Sequence, residues 1–249
     1  MRAIIVSDVH LEDLSGPRER HFLEFLETHA AEVDRLYVLG DLFDVWPGTS
    51  QRLLDRFEPV FRLFAGVVNR GGEVHYVEGN HDFQLGKSLE KKIGVKVHLE
   101  QIRENWDGQK ILFCHGDTVN EHDVVYLRIR KVLRSFWFRL VRFVLPDRLS
   151  LFLGTTASRY SRDTQAKRPD NEARRGRIKD RYREIVGELF KKGNDVVIMG
   201  HTHIPEDYRL QIGDRPCRYL NSGDWMSSFT FIRYDQGEFE LCRFPIPKA

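Results

Sequence analysis

Five apolar runs in this chain each lead into residues of metal-binding type. Ala3-Ile4-Ile5-Val6 runs into Asp8-Val9-His10, and Leu36-Tyr37-Val38-Leu39 into Gly40-Asp41. Val74-His75-Tyr76-Val77 precedes Gly79-Asn80-His81-Asp82. Ile111-Leu112-Phe113-Cys114 precedes His115-Gly116-Asp117, and Val196-Val197-Ile198-Met199 precedes Gly200-His201-Thr202-His203. A short continuous apolar run bounded by turn residues has the pattern of a strand buried on both faces. A parallel sheet gathers its functional loops at the carboxyl ends of its strands. Asp, His and Asn are hard or borderline ligands, so five such deliveries predict a dinuclear metal site. A lone Asp-x-His or His-x-His is ordinarily a turn, a cap or a surface histidine. Five in register after five strands are not independent accidents.

The motifs run from Asp8 to His203, which argues against two consecutive domains. We expect a single α/β domain over residues 1–249, ample to bury a core. The opening residues go straight into a strand and its ligands, so no signal peptide is expected. No stretch of 18 uncharged apolar residues is present. The three cysteines, Cys114, Cys217 and Cys242, are scattered and suggest reduced thiols in a cytoplasmic protein. Helices are predicted over Pro17 to Ala30, Leu53 to Asn69 and Lys87 to Lys92. Strands are predicted over Asp207 to Ile212, Pro216 to Asn221, Ser228 to Tyr234 and Glu238 to Phe244. His21, His29, His75, His98 and His122 lack metal spacing and are expected to be structural or on the surface.

Charge is unevenly placed. Residues 120–185 hold 17 Lys and Arg against 8 Asp and Glu, a net of +9 in a chain whose formal total is +2. This basic segment lies between the fourth and fifth motifs and is expected to be an insertion beside the site. Its first half, Val124 to Leu145, is predicted as one helix stopped by Pro146, with Arg128, Lys131, Arg139 and Arg142 on one arc. Apolar residues fill most of the remainder. A broad apolar surface with a purely cationic polar face is the pattern of a helix lying on a membrane, and a core helix with a solvated basic stripe is the plainer alternative. Arg159 to Arg183 is strongly basic without a large apolar face and suits phosphate, nucleic acid or acidic headgroups.

The motif order D-x-H, G-D, G-N-H-D, H-G, G-H-T-H resembles the calcineurin-like metallophosphoesterase family. That resemblance implies a four-layer α-β-β-α sandwich of two mixed sheets with a helical cap, and two divalent metal ions. Asp41 would bridge them. Asp8, His10 and His203 would complete one shell, and Asn80, His115 and His201 the other. Mn, Fe or Zn suit such ligands, with Mn the first expectation. His81 would face the substrate phosphate as a catalytic group, and Asp82 would orient it or simply cap its turn. Asp44 and Asp117 are expected to partner ligand histidines.

Within the family, His115-Gly116-Asp117-Thr118, Asp123, the basic helix and Ser158-Arg159-Tyr160-Ser161-Arg162-Asp163 resemble the lipid A branch. Those members cleave the pyrophosphate of UDP-2,3-diacylglucosamine, a lipid-linked UDP-sugar, to UMP and 2,3-diacylglucosamine 1-phosphate. The resemblance implies substrate contacts from Asp123, Ser161, Gln165 and Arg168 beside Asn80, His81 and His201. It also implies peripheral attachment to the inner face of the cell membrane. A phosphoesterase for a soluble nucleotide or other phosphate ester, with the insertion as a lid only, is the alternative. A metal-binding scaffold without catalysis ranks below it, because the ligand set is complete. A nuclease also ranks low, because the aromatics do not form a base-stacking series.

Overall fold

The computed structural model describes residues 1–46, 48, 51–120, 124–135, 137, 138, 140 and 172–246. The five apolar runs all form strands: β1 (Ala3–Val6), β2 (Arg35–Leu39), β3 (Glu73–Val77), β6 (Gln109–Cys114) and β7 (Val196–Met199). β1, β2 and β3 are parallel neighbours, with Ile5 beside Tyr37 and Tyr37 beside His75. The first sheet has the order β11-β10-β1-β2-β3-β4, where β4 is Lys96–His98, β10 is Thr230–Asp235 and β11 is Glu238–Arg243. The second has the order β5-β6-β7-β9-β8, where β5 is Gln101–Trp106, β8 is Glu206–Ile212 and β9 is Arg215–Asn221.

Strand alternation then builds the layers. Ile5, Tyr37, Leu39 and Val77 of the first sheet meet Phe113, Ile198 and Leu220 of the second in a central apolar layer. The intervening residues Ile4, Val6, Leu36 and Val38 face outward, against α1 (Pro17–Phe25) and α3 (Glu58–Asn69). Leu112, Cys114, Val197 and Met199 cover the far side with Val186 and Phe190 of α6 (Glu172–Lys191). This is the α-β-β-α sandwich, with all five motif loops leaving carboxyl ends of strands.

Local chemistry explains three departures from expectation. The helix expected over Leu53 to Asn69 is two, α2 (Gln51–Arg56) and α3, broken at Phe57. Pro59 sits in the first turn of α3, where its missing N–H and its ring prevent the preceding turn from continuing. β4 and β5 escaped the reading because they are short and mostly polar. In β5, Glu104 occupies an inward position between Ile102 and Trp106 because it accepts hydrogen bonds from Tyr37 Oη (2.7 Å) and Trp106 Nε1 (2.6 Å).

The third departure is the insertion. Its expected continuous helix ends early: α5 covers Val124–Leu133, and after Arg134 the Ser135 hydroxyl accepts the Phe138 N–H at 3.2 Å, which starts a fresh turn. A fourth helix, α4 (Gly86–Ile93), precedes it. Arg128 and Lys131 are exposed on α5 as expected, but Arg130 and Arg134 turn inward. Arg139, Arg142, Asp123, Ser161, Gln165 and Arg168 lie outside the described residues. No helix among the described residues is long and apolar enough to cross a membrane.

Four rings stack across the sandwich: Phe113 on Tyr37 at 4.5 Å, Tyr37 on His75 at 4.8 Å and His75 on His98 at 5.4 Å. Burial lowers both imidazoles below their ordinary value, and for His98 the His75 ring lowers it further. A histidine that resists protonation when folded contributes stability that is present above about pH 6.5 and is lost as pH falls toward its folded value. In thermal or urea melts between pH 7.5 and 5 the His75 contribution should therefore fall with acid, by no more than about 1.4 kcal/mol per pH unit. His75→Phe keeps a ring in the stack and should flatten that slope. Identical slopes in both proteins would exclude His75 as the acid-sensitive group.

Candidate metal centre

The candidate ligands sit where strands end and the backbone turns sharply. Asp8 (φ 54), His10 (φ 52), Asp41 (φ 52), His201 (φ 67) and His203 (φ 59) all adopt left-handed backbone. Each such non-glycine residue costs on the order of 1 kcal/mol, so the surroundings must impose it. Hydrogen bonds between the loops do so. Asp8 N–H donates to the Gly40 carbonyl at 3.1 Å, His10 N–H to the Asp41 carbonyl at 3.0 Å and Gly200 N–H to the His115 carbonyl at 2.9 Å. Trp225, wholly buried, donates its backbone N–H to the Asp8 carbonyl at 3.1 Å. Two glycines admit the carboxylates: a Cβ at Gly79 would overlap Asp41 Oδ1, and one at Gly200 would overlap Ser7 Oγ and Asp8 Oδ2.

The loops bring together all seven residues expected as ligands. Asp41 Oδ2 lies 3.5 Å from His115 Nε2 and 3.8 Å from His10 Nε2. On one side His203 Nε2 is 3.6 Å from Asp8 Oδ1, and its ring stacks on His10 at 5.2 Å. On the other, Asn80 Oδ1 is 3.0 Å from His115 Nε2 and 3.1 Å from His201 Nδ1. Asp8, His10 and His203 form one group whose ligand atoms lie within 4.8 Å of one another, and so do Asp8, Asp41 and His115. A third such group joins His10 with Asp44 and His81.

The donor set fits cations. Asp8 Oδ1, both ring nitrogens of His10 and His203 Nδ1 are buried without a hydrogen-bond partner among the described residues. Each unmet buried polar atom costs about 1–3 kcal/mol, a cost that coordination would remove. The His115 Nδ1–H donates to the Leu39 carbonyl at 2.8 Å, which turns the Nε2 lone pair toward Asp41 and Asn80. Burial alone would lower His115, but the Asp41 and Asp8 carboxylates hold it well above its ordinary value, so a bound cation would take the place of the proton on Nε2. Burial, and then His115, push His201 down to about 4, so its ring is a neutral donor at pH 7.

Several expected partners stand elsewhere. Asp82 does not touch the His81 ring. Its oxygens accept the N–H groups of Asp41 (3.0 Å), Gly79 (2.9 Å) and Leu42 (2.6 Å), which braces two motif loops against each other. The His81 ring is held instead by the Asp44 backbone carbonyl, 2.8 Å from its Nδ1, while the Asp44 carboxylate stands 3.8 Å from His10 Nδ1. Among the described residues Asp117 meets no histidine at hydrogen-bond distance; it accepts from Tyr126 Oη and, at 2.9 Å, from Arg130 Nε of the insertion. The sequence reading missed Asp224, whose Oδ2 is 3.7 Å from His203 Nδ1. It also missed Ser7 and Ser222, linked by a 2.6 Å hydrogen bond, with Ser7 donating to Asp8. The signal was there: β9 runs parallel to β7, ends at Asn221 and leads into Ser222-Gly223-Asp224, the same strand-then-Gly-Asp pattern as β2.

The sandwich and this cluster define a metal-dependent phosphoesterase. The chain belongs to the calcineurin-like phosphoesterase family, whose model matches residues 1–205. It is 29% identical to a protein of Psychromonas ingrahamii named UDP-2,3-diacylglucosamine hydrolase, over 99% of this chain and 98% of that one. A protein of the same name from Azotobacter vinelandii is 30% identical over 99% of this chain and 100% of its own length. Another from Klebsiella pneumoniae is 29% identical over 98% and 100%.

Gly200→Ala should force Ser7 or Asp8 aside. Metal content by mass spectrometry should fall and the melting temperature should drop, whereas Gly187→Ala, with no atom within 4 Å of the new Cβ, should leave both unharmed. A Gly200→Ala protein with wild-type metal content and stability would refute this packing.

Proposed function

We propose that this chain is a two-metal hydrolase that cleaves the pyrophosphate of UDP-2,3-diacylglucosamine to UMP and 2,3-diacylglucosamine 1-phosphate, with manganese as its resident ion. The observation that carries the phosphoryl-transfer part is Asp41, whose single oxygen Oδ2 stands 3.8 Å from His10 Nε2 and 3.5 Å from His115 Nε2. Asp8, His10 and His203 would hold one ion, and Asn80, His115 and His201 the other, with Asp41 shared. Two divalent ions bound there would neutralise phosphoryl oxygens and activate the attacking water. Asn80 contributes a neutral oxygen, which limits the negative charge that meets a phosphate. Because the His81 Nδ1–H is committed to the Asp44 carbonyl, Nε2 is the nitrogen that would meet the substrate. There it would stabilise charge that builds in the transition state and, when protonated, deliver a proton to the leaving oxygen.

The substrate part is supported by the near full-length similarity to proteins named UDP-2,3-diacylglucosamine hydrolase. By resemblance, Asp123, Ser161, Gln165 and Arg168 would contact the sugar and its phosphate. Peripheral membrane contact is supported by the outer face of α5, where Val125 (69% exposed), Ile129 (54%) and Val132 (62%) stand beside Arg128 and Lys131.

Purified protein with Mn(II) should convert UDP-2,3-diacylglucosamine in detergent micelles to UMP and the lipid 1-phosphate, both identified by mass spectrometry. Turnover of a small soluble phosphodiester without any attack on the glycolipid would sink the substrate assignment. Asp41→Ala should abolish both reactions and leave fewer than two ions per chain. His81→Ala should slow turnover roughly 10²–10⁴-fold with both ions retained; loss of an ion would instead make His81 a ligand. Replacing Val125, Ile129 and Val132 together by Ser should weaken binding to anionic vesicles and spare hydrolysis of the soluble ester. Unchanged vesicle binding would assign the membrane contact elsewhere.

A further inference from the structure

The insertion reaches back to the site through two inward-facing arginines. Arg134, just past the end of α5, donates from Nη2 to the Gly79 carbonyl at 2.8 Å and from Nη1 to the Leu99 carbonyl at 2.8 Å. The same Nη1 lies 3.1 Å from Glu78 Oε2, a carboxylate 1% exposed. One turn earlier, Arg130 Nε donates to Asp117 Oδ2 at 2.9 Å, two residues beyond His115. The loops that α5 grips are thus those of Asn80 and His115. The loops of Asp8, His10 and His203 are held otherwise, through Ser7, Ser222 and Asp224.

We propose that Arg134 is a positioning residue for the metal held by Asn80, His115 and His201: it fixes the Gly79–Asn80 peptide and so the direction of the Asn80 amide. Gly79 is clamped from three sides. Its carbonyl accepts from Arg134, its N–H donates to Asp82 Oδ1 at 2.9 Å, and its Cα has no room for a side chain against Asp41. Rotation of that peptide would carry Asn80 Oδ1 away from the ring nitrogens of His115 and His201, now 3.0 and 3.1 Å away. The guanidinium spreads its planar fork over three protein acceptors, the Gly79 and Leu99 carbonyls and the Glu78 carboxylate. A lysine is a point donor and can serve these acceptors only in part. Coupling of this kind is reciprocal, so occupancy of that site should in turn steady the docking of α5.

This role rests on Asn80 and His115 being ligands, and the test separates the two. Mn(II) titrations followed by electron paramagnetic resonance would compare wild type, Arg134→Met, Arg134→Lys and Asn80→Ala. In Arg134→Met one of the two ions should bind about 10-fold more weakly, the usual effect of losing a partner that orients a ligand, and the other as in wild type. Arg134→Lys should recover part of the loss. With the soluble phosphodiester, kcat should fall while KM stays near wild type. Amides of α5 should exchange faster after chelation in wild type, with little such difference in Arg134→Met. Equal weakening of both ions in Arg134→Met, or none, would overturn the proposal. If Arg134→Met does not fold, Arg134→Gln, which keeps an amide donor for the Gly79 carbonyl, should show the same one-site loss to a smaller extent, and equal or absent effects there overturn it too. Should Asn80→Ala bind both ions as wild type does, the ligand assignment itself fails; should it lose one ion while Arg134→Met loses none, only the positioning role fails.

Discussion

The carboxylate of Asp41 is 1% exposed and lies between the ring nitrogens of His10 and His115. A bare carboxylate in such a place costs several kcal/mol in lost hydration, so the charge must be matched locally. Protein groups match it in part. His81 donates its backbone N–H to Oδ1 at 2.9 Å, and the imidazoles around it hold the carboxyl well below the ordinary carboxylate range despite burial. The left-handed turns, the crowded glycines and the Asp82 brace all place charged or lone-pair atoms around that one group. A dinuclear cation site accounts for this expenditure of conformational strain better than packing does, because packing would have chosen apolar side chains.

Sheet and site were legible in the sequence wherever burial on both faces left an unbroken apolar run. Ala3 to Val6 and Val196 to Met199 are entirely buried, and their composition says so. Two edge strands, β4 and β5, hid because little of their sequence is apolar. β4 contributes only Val97, and β5 disguises an inward residue as the charged Glu104. The seven residues expected as ligands could be picked out because spacing after a strand is a local property. The residues that support them depend on which loops meet in space. Asp82 lies beside His81 in the chain yet braces the loop of Asp41, and Asp224 reaches His203 from 21 positions away.

The insertion shows a different limit. An amphipathic pattern gives the angular separation of two kinds of residue but does not say which kind faces the protein. Arg130 of α5 and Arg134 just past its end face inward, to Asp117 and Glu78, and valines and an isoleucine of α5 face outward. Buried acids on the motif loops reverse the usual orientation, since each needs a cation more than the helix needs a dry contact. The break at Ser135 was likewise invisible to periodicity, because a hydroxyl can cap a new turn without any change in hydrophobic pattern.

The position of β1 has a consequence for how the site comes into being. The first strand lies in the interior of its sheet, parallel to β2 on one side and antiparallel to β10 on the other, where Ala3 pairs with Tyr234. Ala3 therefore waits for Tyr234 before their sheet is complete, and pairings of such sequence separation form slowly. His201, His203 and Asp224 arrive late as well. No fragment that stops before His203 holds the full set of donors, so high-affinity metal capture would report that the last motif has joined the fold. A metal bound only to the finished structure also stabilises against global opening, by mass action, more than against fraying of any single loop.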